Sequence, residues 1–320
     1  MRRFEITDNA TKGDTTMRFI TATALATLIA APALAEGWQQ DYQTVNIGFL
    51  SGENEQDRLT RTAPLKEHLE STLGVNVEIF LAGSYDGVIQ AMAADQIEFA
   101  FHGSSSYAAA YTATDGNIIP LLTTQNKDGS TGYYSIITTH CDSGLTSLAD
   151  LEGKVLAFAD PDSTSGYAVP YFNLVEREGL DPTTYFAAVP FSGSHEAGVQ
   201  GVVNGTFDAA ATWQDTELSG VYQRMELKGM IEPGQVCAIW ESPEITSGPL
   251  TARANLPEVM IAEVTAAVEA FPNADPEGWN FYTSYDPEDD NPTVGYVRVD
   301  HDRYQWIIDM RTWLREQRRG

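Results

Sequence analysis

The sequence is poor in the residues that most often carry chemistry. Two cysteines in 320 residues exclude a disulfide-dense scaffold and a zinc site built from four thiolates. Five histidines (His68, His102, His140, His195 and His301) are scattered, without metal-ligand spacing. There is no G-x-S-x-G elbow and no H-E-x-x-H helix, so neither serine-hydrolase nor zinc-protease chemistry is indicated. Basic side chains are scarce as well: 19 Lys and Arg stand against 45 Asp and Glu, a formal charge of −26. Such a chain lacks the basic footprint that nucleic acid or an anionic membrane surface requires. It also repels anions at long range, so an anion site in it needs strong local donors. No apolar run reaches the ~20 residues of a membrane-spanning helix.

What is present fits a globular chain of two domains or one large one. Hydrophobic residues make up 42% and aromatics 10%, enough to build cores. The longest apolar run, FITATALATLIAA at 19–31, has 13 residues. It follows Met17-Arg18 and ends in Pro32-Ala33-Leu34-Ala35. A short basic start, a short apolar stretch and an Ala-x-Ala end describe a secretory signal peptide over 1–35, with a possible true start at Met17. The expected product is an exported, periplasmic chain beginning near Glu36. Export lets Cys141 and Cys237 oxidise.

Along the remaining chain, strand patterns alternate with helical ones. Strands are expected at 44–50 (TVNIGFL), 75–80, 97–101 and 118–122, with helices at 57–73, 84–94 and 104–111 between them. A β-rich run (YYSIITT) follows at 133–139. A second cycle has strands at 154–159 (KVLAFA), 186–190, 208–212 and 235–240. Its helices fall at 166–178, 196–204 and 215–225. Helices at 256–271 and 300–315 close the chain, the last presenting Trp306, Ile307, Met310, Trp313 and Leu314 on one broad, core-packing face. The alternation predicts α/β architecture with mostly parallel sheets. Two similar cycles predict two lobes. The runs at 133–139 and 235–240 are then crossover strands. Lobe one comprises 36–136 and 244–320, and lobe two 137–243. If the crossovers lie side by side and antiparallel, Cys141 faces Cys237, which motivates a single disulfide.

Polar groups collect where predicted strands end, the place where open α/β sheets bind ligands. Asp160-Pro161-Asp162-Ser163-Thr164-Ser165-Gly166 joins a strand to a helix. Three hydroxyls and the first-turn N–H groups make an oxyanion cradle there, without lysine or arginine. Taken alone, a plain helix cap explains the same residues. Further strand ends offer Tyr85, Ser104 in the run Phe101–Tyr107, Tyr133 and Tyr134 at the crossover, His195 after Ser192-Gly193-Ser194, and Asp215 after Thr212-Trp213-Gln214.

Four segments make the sequence resemble the phosphate, phosphite and phosphonate-binding periplasmic proteins of ABC transporters, the PhnD-like group. They are Gly83-Ser84-Tyr85-Asp86-Gly87-Val88-Ile89, Phe101-His102-Gly103-Ser104-Ser105-Ser106-Tyr107, Asp160-Pro161-Asp162-Ser163-Thr164-Ser165-Gly166-Tyr167 and Trp240-Glu241-Ser242-Pro243-Glu244-Ile245. The resemblance implies a two-lobed type II binding-protein fold that closes on its ligand. It implies that Ser163, Thr164 and Ser165 hold the phosphonate oxygens, that Tyr85 and Tyr133 or Tyr134 donate from lobe one and His195 from lobe two, and that Asp215 is an acidic pocket position. It further implies a monomeric, non-enzymatic carrier without cofactor or metal that delivers its ligand to an ABC permease. One departure stands out: Thr246-Ser247-Gly248-Pro249 lacks the acidic or amide residue that many members carry after Ser-Pro-x-Ile. The carboxylate of Asp215 selects either a cationic tail, with 2-aminoethylphosphonate as lead, or a protonated oxygen of phosphite, phosphate or a simple alkylphosphonate. A ligand sensor and, last, an enzyme on the same fold are the competing functions.

Overall fold

The computed structural model describes residues 37–216, 219–284 and 292–317. The leader expected at 1–35 lies outside them, as does Glu36. The strands are, in chain order, β1 (Thr44–Phe49), β2 (Asn76–Leu81), β3 (Phe99–Phe101), β4 (Ile118–Asn126), β5 (Gly132–His140), β6 (Leu156–Ala157), β7 (Ala209–Thr216), β8 (Ser219–Gly220), β9 (Val236–Glu241), β10 (Ile245–Thr246), β11 (Leu250–Arg253) and β12 (Thr293–Arg298). They form two six-stranded sheets.

The first sheet runs β12-β4-β11-β3-β1-β2. Strand β1 is parallel to β2 and β3, whereas β11 and β12 enter antiparallel. Val45, Ile47 and Phe49 alternate into the core, where Leu65, Leu69 and Leu73 of the helix Glu55–Leu73 meet them at i, i+4 and i+8. Phe271 and Trp279, from the helices Glu258–Ala274 and Pro276–Ser284, close that core. The second sheet runs β10-β5-β7-β6, with β9 also on β5 and β8 on β7. Its central strand β7 is rich in alanine, so Ala209, Ala210 and Ala211 are buried on both faces. The α/β architecture is the expected one, but the sheets are mixed rather than mostly parallel: antiparallel pairings outnumber parallel ones, because β5 enters the second sheet antiparallel to β7, β9 and β10, and β11 and β12 enter the first sheet antiparallel to β3 and β4.

The two lobes are joined where β4 turns into β5. Strand β5 pairs antiparallel with β9 and β10, Thr139 standing opposite Cys237 and Tyr133 opposite Ile245. Cys141 and Cys237 are disulfide-bonded, their Cα atoms 5.1 Å apart. The last helix, Gln305–Gln317, buries Ile307 and Leu314. Trp306, Met310 and Trp313 pack against the same cluster, which includes Tyr107, Phe158 and Tyr167.

Several elements differ from expectation. The helix expected at 215–225 begins at Val221, and Asp215 sits on β7. The ladder with β5, in which Ser135 faces Trp213 and Tyr134 faces Gln214, holds the chain extended to that point. The strand expected at 186–190 is reduced to isolated bridges of Ala188 and Phe191 with Val155 and Phe158. Pro190 between them has no N–H to donate, and β6 shrinks correspondingly to two residues. The strands β11 and β12 and the helix Pro276–Ser284 complete the first sheet and its cover beyond the helix expected there.

The disulfide closes a loop with a sequence separation of 96. Reduction, or Cys141→Ser, is therefore expected to lower stability by about 2–4 kcal/mol, chiefly through the unfolded chain. Thermal unfolding with and without reductant measures this; an unchanged midpoint would show that the crossover strands hold the lobe unaided.

Candidate functional site

The cradle is built by one helix start. Ser163 is the N-cap, with extended backbone, and its Oγ accepts the Gly166 N–H at 3.0 Å. The first turn is then widened: the Ala168 N–H reaches back five residues to the Ser163 carbonyl at 3.0 Å. From Val169 the chain continues as an α-helix to Glu176. Ser163, Thr164 and Ser165 are 1–2% exposed. Only glycine suits position 166, because a Cβ there would lie 2.9 Å from both Ser163 Oγ and His195 Cε1.

The cradle forms one wall of a cavity of about 330 Å³. Tyr85, Tyr133, Ser163, Thr164, Ser165, His195 and Asp215 all line it. Two expected residues do not. Ser104 Oγ donates to the Thr246 carbonyl and is spent on tying its helix to β10. Tyr134 follows Tyr133 on β5, so the pleat turns it to the opposite face.

Burial sets the protonation states. The Tyr85 phenol is pushed up by desolvation and by nearby Asp160, and Tyr133 is pushed up to about 12 by desolvation. Both remain O–H donors at neutral pH. His195 is pushed down to about 3, first by desolvation and then by the Arg58 charge, so its ring is neutral. Its Nδ1 lies 3.1 Å from Thr212 Oγ and its Nε2 lies 3.3 Å from Ser163 Oγ. The Asp215 carboxyl is raised by burial, an effect opposed by Arg224 and by a hydrogen bond from Ser219.

Basic side chains, which the sequence reading did not place near the cradle, also stand on the cavity wall. Arg58, Arg61 and Arg224 line the cavity beside Glu53, Glu196 and Asp215. Arg58 Nε and Arg61 Nη2 each lie 2.8 Å from Glu53 Oε1. Arg224 lies 3.8 Å from Asp215 and stacks 4.5 Å from the Trp213 ring centroid. Arg58 and Arg61 were missed because they lie in a stretch whose helical spacing does not say where their side chains point. The Glu53-x4-Arg58-x2-Arg61 spacing was the signal that could have placed them.

Beside the cavity, the lobes touch through polar groups. Lys228 Nζ lies 2.5 Å from both Asp57 Oδ2 and Glu196 Oε1, and Glu196 Oε2 accepts the Asn54 N–H at 2.9 Å. On the other side, Arg311 donates to Ser105 Oγ at 2.8 Å and pairs with Asp162 at 2.7 Å. Between them, the Ser105 N–H donates to Thr164 Oγ at 2.8 Å.

The sequence that builds this cleft, with its hydroxyl-rich helix start, matches a family profile. The profile described as "ABC transporter, phosphonate, periplasmic substrate-binding protein" matches residues 47–304. The chain belongs to that family. Among its relatives is the phosphonates-binding periplasmic protein of Escherichia coli K12, 29% identical over 76% of this chain and 69% of that one. The phosphate-import protein PhnD of Mycolicibacterium smegmatis is 31% identical over 71% and 70% of the two chains. Among solved structures, a binding-protein component of an ABC phosphonate transporter from Pseudomonas aeruginosa is 26% identical. It superposes with a TM-score of 0.71 over 84% of this chain and 86% of that one. The PhnD1 structure from Prochlorococcus marinus, in complex with methylphosphonate, shares the fold at 17% identity, with a TM-score of 0.70 over 85% and 98% of the chains. The relatives are transporter substrate-binding proteins rather than enzymes.

The depressed value of His195 has a pH consequence. Below pH ~6.5 the unfolded chain takes up a proton that the folded chain refuses until about pH 3. Buried His102 is shifted the same way by desolvation. Stability should fall as pH drops through that window, by about 1 kcal/mol per pH unit for each ring. Denaturant titration of the native chain and His195→Gln between pH 7 and 4 measures the slope; an equal slope in both would exclude His195 as a contributor.

Proposed function

We propose that the cavity captures an organophosphonate, with 2-aminoethylphosphonate as lead, for delivery to an ABC permease. The chain would leave the cytoplasm by its leader at 1–35 and act in the periplasm as a monomer. Lobe one (36–136 and 244–320) and lobe two (137–243) would hinge at the crossover strands. The carrying observation is the convergence of the Ser163–Ser165 helix start with Tyr85, Tyr133 and His195 on one wall. In this reading the cradle N–H and O–H groups hold the phosphonate oxygens. With Thr212 donating to Nδ1, the neutral His195 ring presents Nε2–H to the same oxygens.

Size and charge support a tail. At roughly 30 Å³ per water-sized group, a five-atom inorganic oxyanion takes about half of the cavity. Asp215 supports an amine on that tail. Its 3.8 Å separation from Arg224 is an ion pair too long for a hydrogen bond, leaving room for an ammonium donor. Trp213 lines the same region and offers a ring face to a cation. Simple phosphonate, phosphite or phosphate is the second reading, favoured by the arginines on the cavity wall and by the absence of a carboxylate at Ser247 and Gly248, which also line it.

Two measurements test this. The double substitution Ser163→Ala with Thr164→Ala should weaken phosphonate binding by roughly 3–6 kcal/mol if two charge-assisted hydrogen bonds add. Unchanged affinity by calorimetry would reduce the cradle to a helix cap. Asp215→Asn should weaken 2-aminoethylphosphonate by about 2–5 kcal/mol while sparing methylphosphonate and phosphite. Equal losses for all three would instead identify Asp215 as the acceptor from a protonated ligand oxygen.

A further inference from the structure

We infer that His102 is a further ligand contact and a specificity residue: it reads a hydroxyl on the carbon bound to phosphorus, so the preferred solute class is a phosphonate hydroxylated at that carbon. The inference rests on the phosphonate reading above and adds to it a contact residue and a substituent of the ligand.

His102 differs from the other polar groups of the wall. It lines the cavity, yet it is only 6% exposed. Among the described residues, neither its Nδ1 nor its Nε2 has a hydrogen-bond partner. The other histidine on the wall, His195, has both nitrogens within reach of hydroxyls. Desolvation pushes the His102 ring down to about 3, so it is neutral and carries one donor and one acceptor. A buried polar ring left unpaired carries its full desolvation penalty, and a solute that pairs it recovers that penalty as affinity.

The backbone fixes where the ring stands. The His102 N–H donates to the Pro249 carbonyl at 2.9 Å, and Gly248 packs so closely that a Cβ on it would collide with the His102 carbonyl oxygen. The next residue, Gly103, caps the helix Ser104–Ala113 and stands against the cradle. A Cβ on Gly103 would lie 3.0 Å from Thr164 Oγ, and the Ser105 N–H donates to that same oxygen at 2.8 Å. His102 is therefore on the cradle end of the wall, where the nearest ligand atoms are those next to phosphorus. Among the described residues no hydrogen bond holds the ring's rotation, and the broad, two-fold χ2 preference of histidine lets either edge turn to the cavity.

A neutral ring selects its partner. An ammonium satisfies only the acceptor nitrogen, and an ionised oxygen only the N–H. A hydroxyl both donates and accepts, so it pairs with the ring in either tautomer and brings no charge to that wall. Charge is felt elsewhere in the cavity: Asp215 acts on Tyr133 and Arg58 on His195, whereas burial shifts His102. A hydroxyl on the carbon bound to phosphorus leaves the rest of a tail free to reach Asp215.

The test compares hydroxymethylphosphonate with methylphosphonate, which differ by one oxygen, by calorimetry on the full exported chain. An alkaline pH at which both probes are dianions removes a protonated phosphonate oxygen as a second source of the hydroxyl. The native protein should prefer the hydroxylated probe by about 5- to 20-fold, as expected for one hydrogen bond to a buried neutral group. His102→Phe should bring that ratio close to one. His102→Gln, which keeps a donor and an acceptor, should retain a preference. A general distortion of the site weakens both probes and leaves their ratio unchanged. In the native complex, the ring nitrogen NMR signals of His102 should move with hydroxymethylphosphonate more than with methylphosphonate. A native ratio near one, equal movement of the ring signals with both probes, or a preference that survives in His102→Phe overturns the inference. If the native chain binds both probes equally, only the His102 assignment fails and the phosphonate reading stands. If neither probe nor 2-aminoethylphosphonate binds the native chain, the phosphonate reading fails and takes the inference with it.

Discussion

The Ser163 hydroxyl is the point on which the site turns. It accepts the Gly166 N–H, which caps the helix, and it lies 3.3 Å from His195 Nε2. A lone hydroxyl that accepts from the backbone still has its own proton to give. The same atom therefore fixes the helix start and remains a donor toward the cavity. Gly166 makes this possible by allowing Ala159, His195 and Ser163 to crowd a backbone position that carries no side chain. Burial of the turn then keeps water from competing for the donors and holds the histidine neutral.

Acidity and anion binding coexist here through local arrangement. The long-range field of so many carboxylates opposes an anion, but screening confines that field to about a Debye length. Inside the cleft, each carboxylate near the cavity is matched to a cation, and the matching is uneven from place to place. On the proposed reading, oriented backbone dipoles and hydroxyls take the place of the lysine cluster that a basic protein would use.

The fold was legible where the sequence spoke in periods. The alternation Val45-Ile47-Phe49 and the spacing Leu65-Leu69-Leu73 identify a strand and its covering helix without further knowledge. The cradle was legible because serine at an N-cap and glycine three residues later are chemically specific requirements. Asp215 lines the same cavity as the cradle but stands on a strand rather than at a helix start. The polar run after Trp213 reads as a helix start, whereas the β5 ladder, a tertiary constraint, keeps it extended. Arg58 and Arg61 were invisible because their direction depends on Glu53 and on the Tyr282 carbonyl, the latter contributed by a helix more than two hundred residues away. The strands Leu250–Arg253 and Thr293–Arg298 are short, and no local signal says that they complete a sheet begun at Thr44.

The Lys228 clasp acts on a different quantity from the cavity. Lys228 and Asp57 stand off the cavity lining and meet it only through Glu196, so their own contact holds the lobes together in the same way for every occupant. Interactions of that kind raise all affinities in parallel and leave their ratios untouched. Selectivity and grip are thereby separated in the molecule. On the proposed reading, the cradle and Asp215 would decide which solute is preferred, while the clasp would set how long any of them stays. Because the clasp is ionic and partly solvated, that residence is the property most open to adjustment by ionic strength.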